Sequence, residues 1–335
     1  MSDAPRIDTT RLQGIARAYT QSAVLFTAID VELFTHVARG ADTEAALVEA
    51  TGLRRIDVER LVSCALSMDL LHWSADGHHL ENAPDAAKYL VKDDPRYAGP
   101  WMTFTLPDVG DWFRMTELMH ERGGTRLGMY DDLTVEGARK YHRATASIGF
   151  GAGRRFVKTV DISDRRHLLD LGGGSGAYSI TAVQAHDQLR ATVLDLPVVI
   201  DATRDYIDDA GVADRVDTVG AHITLGEFPG PVDVIVVASN QPIYDADVIG
   251  GGVARAFRAL ENGGEMHLVG EMLADDRTGP VDAAMWGMYE LMCGSFGRAH
   301  TRADCVGYFE AAGFIDVEVT EFVPGVLARC AGRKP

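Results

Sequence analysis

The chain has 335 residues, enough for about two domains. It carries 32 Lys plus Arg against 49 Asp plus Glu, a formal charge of −17, with 46% hydrophobic and 24% charged residues. This balance excludes a disordered chain and opposes any nucleic-acid partner, because a phosphate backbone repels so acidic a surface. Apolar runs such as Val234 to Ser239 fall far short of the ~20 residues of a membrane span. The opening MSDAPRIDTT lacks the basic-then-apolar pattern of a leader, so a cytoplasmic location is expected. Cys64, Cys293, Cys305 and Cys330 have no CxxC spacing, which suits a reduced protein without a bound metal.

Taken in chain order, Arg11 to Ala28 sets Leu12, Ile15, Ala16, Tyr19, Ala23 and Phe26 three or four residues apart. That is an amphipathic helix whose apolar stripe needs a partner, within the chain or on a second copy. Thr43 can cap a helix beginning EAALVEA, Thr51-Gly52-Leu53 breaks it, and Arg55 to Leu70 is a second helix. A hairpin then turns at Asp76-Gly77, completing a winged-helix unit. A DNA-binding role for that unit is disfavoured, because residues 1–100 hold 10 Lys plus Arg against 15 Asp plus Glu. Residues Asp94 to Phe156 read as further helices, with Trp101 and Trp112 among large apolar residues able to form a lid.

From His167 strands and helices alternate. The strands are His167–Leu171, Ala191–Leu194, Val216–Val219, Val232–Ala238 and Glu265–Val269, and a final hairpin closes the chain. This pattern argues an α/β fold with a doubly wound parallel sheet and an antiparallel edge. The strongest local signal is Asp170-Leu171-Gly172-Gly173-Gly174-Ser175-Gly176, which follows a strand and opens a helix. Asp195 ends the next strand, where an acid can accept both ribose hydroxyls of an adenosine ligand. Asp170 beside the glycines suits a cationic ligand better than a pyrophosphate.

DLGGGSG, the LDLP containing Asp195, the strand Gly263 to Glu271 and the closing Ala311–Phe314 resemble the class I S-adenosylmethionine-dependent small-molecule O-methyltransferases. The resemblance spans nearly the whole chain. It implies a winged-helix dimerisation domain over residues 1–100, a helical linker and substrate lid over 101–160, and a Rossmann-like catalytic domain over 161–335. It also implies a homodimer joined through the N-terminal helices, with S-adenosyl-L-methionine as cofactor and a small-molecule substrate. Asp170, Gly172, Gly174, Asp195 and Leu196 would line the cofactor site, with Ala221, His222 and Ser239 beside them. Ser147 matches the family's serine near the cofactor carboxylate.

The family's catalytic histidine and its two acids match Ile243, Glu271 and Ala299, so two of three members of the base machinery are missing. Tyr244, Tyr141 and His142 are the remaining catalytic candidates. Trp112, Met288, Met292, Gln241, Arg143, Arg298 and His300 are candidates to bind substrate, the arginines by clamping a carboxylate. A thioether acceptor needs no base. In this the pattern is similar to the bacterial S-methyltransferases that act on 4-methylthio-2-hydroxybutyrate in dimethylsulfoniopropionate synthesis. The competing expectations are O- or C-methylation of a phenol, enol or α-keto acid, and a relative that binds the cofactor without methylating.

Overall fold

The computed structural model describes residues 7–121, 125 and 127–335. The chain divides into two compact units, Met1–Leu106 and Pro107–Pro335.

The first unit contains α1 (Thr10–Asp30), α2 (Leu33–Ala38), α3 (Glu44–Thr51), α4 (Arg55–Ser67), the hairpin β1 (Leu71–Trp73) and β2 (Leu80–Asn82), α5 (Pro84–Tyr89) and α6 (Gly99–Met102). Thr43 caps α3 by accepting the Ala46 N–H at 3.2 Å, and Gly52 ends it with φ 70°. Leu47, Val58, Val62, Leu71 and Leu80 close one core beneath the helix–turn–helix–hairpin. Asp57 binds both Arg54 (2.6 Å) and Arg60 (3.1 Å), so those cations are already neutralised on the face where a phosphate would dock. Along α1 only Ala28 is buried, while Leu12, Ile15 and Tyr19 stay exposed.

The second unit contains α7 (Val109–Trp112), α8 (Met115–Glu121), α9 (Val135–Thr159), β3 (His167–Leu171), α10 (Ala177–Ala185), β4 (Arg190–Asp195), α11 (Pro197–Asp209), β5 (Val216–Gly220) and β6 (Val232–Ala238). It continues with α12 (Ala246–Ala259), β7 (Leu260–Gly270), β8 (Met272–Leu273), α13 (Val281–Met292), β9 (His300–Thr301), α14 (Arg302–Ala312), β10 (Ile315–Val323) and β11 (Leu327–Arg333). The seven-stranded sheet runs β10-β11-β7-β6-β3-β4-β5. Strands β3 to β7 pair in parallel, and β11 pairs antiparallel with both β7 and β10. The inner strands are near-continuous apolar runs because helices cover both faces. Strand order reverses at β3, which has β4 on one side and β6 on the other, and ligands of such sheets bind at that crevice.

No helix among the described residues is long and apolar enough to cross a membrane. No cluster of His, Cys, Asp and Glu among them is placed to hold a metal.

Candidate active site

The carboxyl end of β3 runs into the glycine loop. Gly172, Gly174 and Gly176 have φ of 66°, 54° and 70°, a region L side chains avoid. The loop is also crowded. A Cβ on Gly172 would meet Asn240 Nδ2 at 2.5 Å, and one on Gly174 would meet His142 Cε1 at 2.5 Å. Asp195 Oδ2 accepts the Gly174 N–H at 2.8 Å and Oδ1 accepts the Leu196 N–H at 2.7 Å, so the acid ties the two strand ends together. Burial pushes Asp195 up to about 6. Asp170 is fully buried beneath the loop. Its Oδ2 accepts from Ser179 N and Oγ, its Oδ1 has no partner among the described residues, and burial raises it to about 7. An unpartnered buried carboxylate oxygen is costly. A cationic ligand nearby offsets that cost, so the donor set fits the amino acid end and the ribose of S-adenosylmethionine.

A cleft opens beside this loop. Tyr141, His142, Gly172, Asp195, Leu196, Asn240, Ile243 and Tyr244 line it, with Leu127, Tyr130, Leu133, Val199 and Ile223. Ile243 and Tyr244 come from a tight turn after β6, and Gly297 packs directly on the Pro242 carbonyl and on Ile243. The turn expected to carry the family's second glutamate therefore does lie against the position of its histidine. The residues there are Ala299 and Ile243. Gly287 of α13 closes on Ala299, and a Cβ added to Gly287 would stand 2.6 Å from the Ala299 Cβ.

None of the three catalytic candidates is a good proton acceptor. Burial pushes Tyr141 up to about 12 and Tyr244 higher still, so both phenols stay protonated and act as donors. Tyr141 Oη lies 3.2 Å from Tyr130 Oη. His142 is held neutral by burial, down to about 4, with its ring against Gly174, so it packs beneath the cofactor loop.

Several substrate candidates lie elsewhere. Arg143 is exposed and pairs with Glu136 at 3.3 Å. Arg298 pairs with Asp304 at 3.5 Å. His300 is fully buried, with Nε2 3.0 Å from the Tyr244 carbonyl and Nδ1 2.9 Å from Tyr308 Oη. A carbonyl only accepts, so Nε2 donates and Nδ1 accepts from the phenol. His300 is a neutral strut behind the acceptor turn, not a clamp. Gln241 is fully buried against Gly270, with Nε2 donating to the Glu271 carbonyl at 3.3 Å. Trp112 stacks on Tyr289 at 6.4 Å, and Met288 and Met292 are half-buried on α13.

His142, Ala146, Gly149 and Gly153 form the stripe of α9 that faces the glycine loop and α10. Ser147 is half-buried on the same helix, about 100° on from Ala146. Gly149 holds the facing position, 3.9 Å from Ser175 Oγ for an added Cβ. Near the adenine side, His222 Nδ1 is engaged by its own loop, 2.7 Å from Thr224 Oγ. The Ala221 N–H bonds the Asp195 carbonyl at 2.8 Å, and Ser239 is exposed at the end of β6 with φ 52°.

An O-methyltransferase domain family model matches residues 126–315. The chain belongs to this O-methyltransferase family. It is an S-adenosylmethionine-dependent methyltransferase acting on a small molecule. It is 29% identical to the 3-hydroxy-5-methyl-1-naphthoate 3-O-methyltransferase of Streptomyces sahachiroi, across 97% of this chain and 95% of that protein. It is 26% identical to the tetracenomycin polyketide synthesis 8-O-methyl transferase TcmO of Streptomyces glaucescens, across 96% and 95%. The solved structure of human N-acetylserotonin methyltransferase in complex with S-adenosylmethionine superposes with a TM-score of 0.82 at 18% identity, covering 100% of this chain and 99% of that one, a likeness of fold.

Of the residues expected at the cofactor, Gly172, Asp195 and Leu196 line the cleft, and sequence reasoning did not name Tyr130 and Asn240, which line it too. Tyr130 enters on a loop that hydrogen-bonds across to Cys293 and Gly294, a long-range pairing with no local pattern.

Proposed function

We propose that this methyltransferase methylates a hydroxyl of a small, flat aromatic acceptor, a phenol of the naphthoate or polycyclic polyketide kind. The observation that carries the reading is the acceptor side of the cleft, where Tyr130, Tyr141, Tyr244 and Ile243 present aromatic and apolar walls. Aromatic walls favour stacking of a planar ring. The near full-length similarity to two enzymes named for O-methylation of aromatic polyketides supports the same acceptor class. A thioether hydroxy acid would also explain the missing base, but the two arginines expected to clamp its carboxylate, Arg143 and Arg298, pair instead with Glu136 and Asp304.

In this reading the donor, S-adenosylmethionine, supplies an electrophilic methyl group. Asp195 holds its ribose and Asp170 balances its charge from below the loop. The cleft walls fix the acceptor oxygen in line, and such alignment alone lowers the barrier substantially. Tyr141 and Tyr244 donate hydrogen bonds toward charge developing on that oxygen. The exposed stripe of Leu12, Ile15 and Tyr19 on α1 is the surface through which two copies pair.

The test is incubation of the purified protein with labelled donor and a panel of hydroxynaphthoates, simple phenols, an aryl amine and a methylthio hydroxy acid. Product mass and position of label are then read. Transfer to oxygen of a bicyclic phenol is expected. Preferential transfer to the thioether sulfur, or an acceptor altered without gain of a methyl, would overturn the reading.

A further inference from the structure

The two halves of the cleft meet at one residue. Asn240 follows β6, between the glycine loop and the turn that carries Ile243 and Tyr244, and it lines the cleft. Its backbone carbonyl accepts the Ile243 N–H at 3.2 Å, and the residue before it is held by the Ser239 N–H bond to the Val269 carbonyl at 2.7 Å. The acceptor turn therefore starts from a fixed point.

The side chain reaches the other way, to the donor half. Its Nδ2 donates to the Leu171 carbonyl at 3.2 Å and to the Gly172 carbonyl at 3.1 Å. An amide nitrogen has two N–H groups, and both are spent here. Carbonyls only accept, so this pair of contacts also fixes which way the amide is turned. From the place of a Cβ on Gly172, Nδ2 is at 2.5 Å and Oδ1 at 3.3 Å, so the oxygen is the atom further from the loop. Oδ1 takes no hydrogen bond among the described residues, and it is not shut in like Oε1 of the neighbouring Gln241. In a residue that lines the cleft, that leaves an amide oxygen free for a ligand.

Other polar groups along the cleft are engaged differently. Both Asp195 oxygens take backbone N–H groups on the cofactor side, the His142 ring lies against Gly174, and Tyr130 and Tyr141 meet at 3.2 Å. Tyr244 stays protonated through burial and has a hydrogen to donate.

We propose that Asn240 Oδ1 accepts a hydrogen bond from the acceptor's own O–H, and so selects a hydroxyl that still carries its proton. This inference rests on the hydroxyl reading above. A neutral amide oxygen is no base, so Asn240 orients the hydroxyl and does not deprotonate it. With its hydrogen aimed at Oδ1, the hydroxyl keeps a lone pair free to face the donor methyl. As the oxygen forms its bond to the methyl carbon, the methyl–sulfur bond breaks and its electron pair stays on sulfur. The O–H proton leaves the oxygen for water. A thioether sulfur or an ionised phenolate has no hydrogen to offer, and the phenolate also meets the negative end of the amide dipole. Because the same amide grips Gly172 through its nitrogen, the acceptor oxygen is placed directly against the loop that cradles the donor, which is the registry that catalysis by alignment needs.

The test uses Asn240→Leu, which keeps the volume and removes both polar amide atoms, on the complex with saturating S-adenosylhomocysteine. Calorimetry compares two probes, a hydroxynaphthoate and the same naphthoate without the hydroxyl. The wild type should bind the hydroxynaphthoate about 10-fold more tightly, and the leucine variant should bind the two within about twofold. Asn240→Asp keeps an accepting oxygen and should retain the preference. In turnover with the methyl donor, kcat/KM for the hydroxynaphthoate should fall about 10-fold or more in the leucine variant. Should that variant fail to fold, Asn240→Ala takes its place in the same comparison.

A preference that persists undiminished in Asn240→Leu, or a wild type that methylates the hydroxyl yet binds both probes equally, would overturn the proposal. A wild type that methylates no phenol would overturn the hydroxyl reading and this inference with it.

Discussion

The two halves of the cleft contrast sharply. On the cofactor side the arrangement is set by short-range geometry at the ends of β3 and β4, where Asp195 ties the glycine loop to Leu196. On the acceptor side the positions matching the family's histidine and second acid hold Ile243 and Ala299 under Gly287, beside the phenols Tyr130, Tyr141 and Tyr244. The contrast teaches that the two halves answer to different constraints. The methyl donor is one fixed molecule, so its cradle tolerates little change. The acceptor wall only has to fit one aromatic surface and dispose of one proton.

The sharpest way to break the comparison is at the glycine loop. Gly174→Val puts a branched side chain at φ 54° and drives it into His142. A loss of roughly 2–5 kcal/mol of stability is expected, summing the left-handed penalty and overpacking, with no measurable calorimetric binding of S-adenosylhomocysteine. Retained binding would mean the loop is not the cradle.

Next in size, Asp170 tests the charge stored beneath the loop. Its raised value near 7 means the folded, ligand-free protein keeps a proton that the unfolded chain releases near pH 4. Through this residue stability falls as pH rises from about 4 to about 7. Asp170→Asn should abolish that fall, so urea midpoints of variant and wild type diverge in the variant's favour by up to ~4 kcal/mol between pH 4 and 8. A difference independent of pH would show that the carboxyl titrates normally.

On the ribose, Asp195→Ala should weaken S-adenosylhomocysteine by about 1–3 kcal/mol, the cost of stranding hydrogen-bonding groups, while KM for the acceptor holds. Unchanged affinity would remove Asp195 from the cofactor half.

On the acceptor side, Ala299→Glu should cost about 1–3 kcal/mol through overpacking against α13, and kcat should not rise. A gain in turnover would show that the old machinery can still be assembled.

The smallest effect belongs to Arg143→Ala. An exposed ion pair is worth about 0–1 kcal/mol, and KM for the acceptor should move less than twofold. A larger shift would restore the arginine clamp.

How much of this was legible in the sequence follows the same division. The parallel strands, the glycine loop and Asp195 announce themselves because strand, turn and helix residues sit side by side in the chain. The winged hairpin was readable for the same reason. Helix α9 shows the limit of that reading: which of its faces meets the loop, through His142, Ala146, Gly149 and Gly153, is set by packing and not by a local pattern. His300 and Gln241 look like polar ligands in sequence because burial leaves no mark there. The loop bearing Tyr130 is tied to the end of α13 by the backbone bonds Met129–Cys293 and Thr125–Gly294, and no window of sequence places those segments together.

The contact between Gly287 and Ala299 makes any return of the family's base a coupled problem. An added Cβ on Gly287 would already stand 2.6 Å from the Ala299 Cβ, so a glutamate at residue 299 fits only if α13 retreats, and it would still face Ile243 and not a histidine. Each of these changes is useless alone, so the acceptor wall resists piecemeal repair.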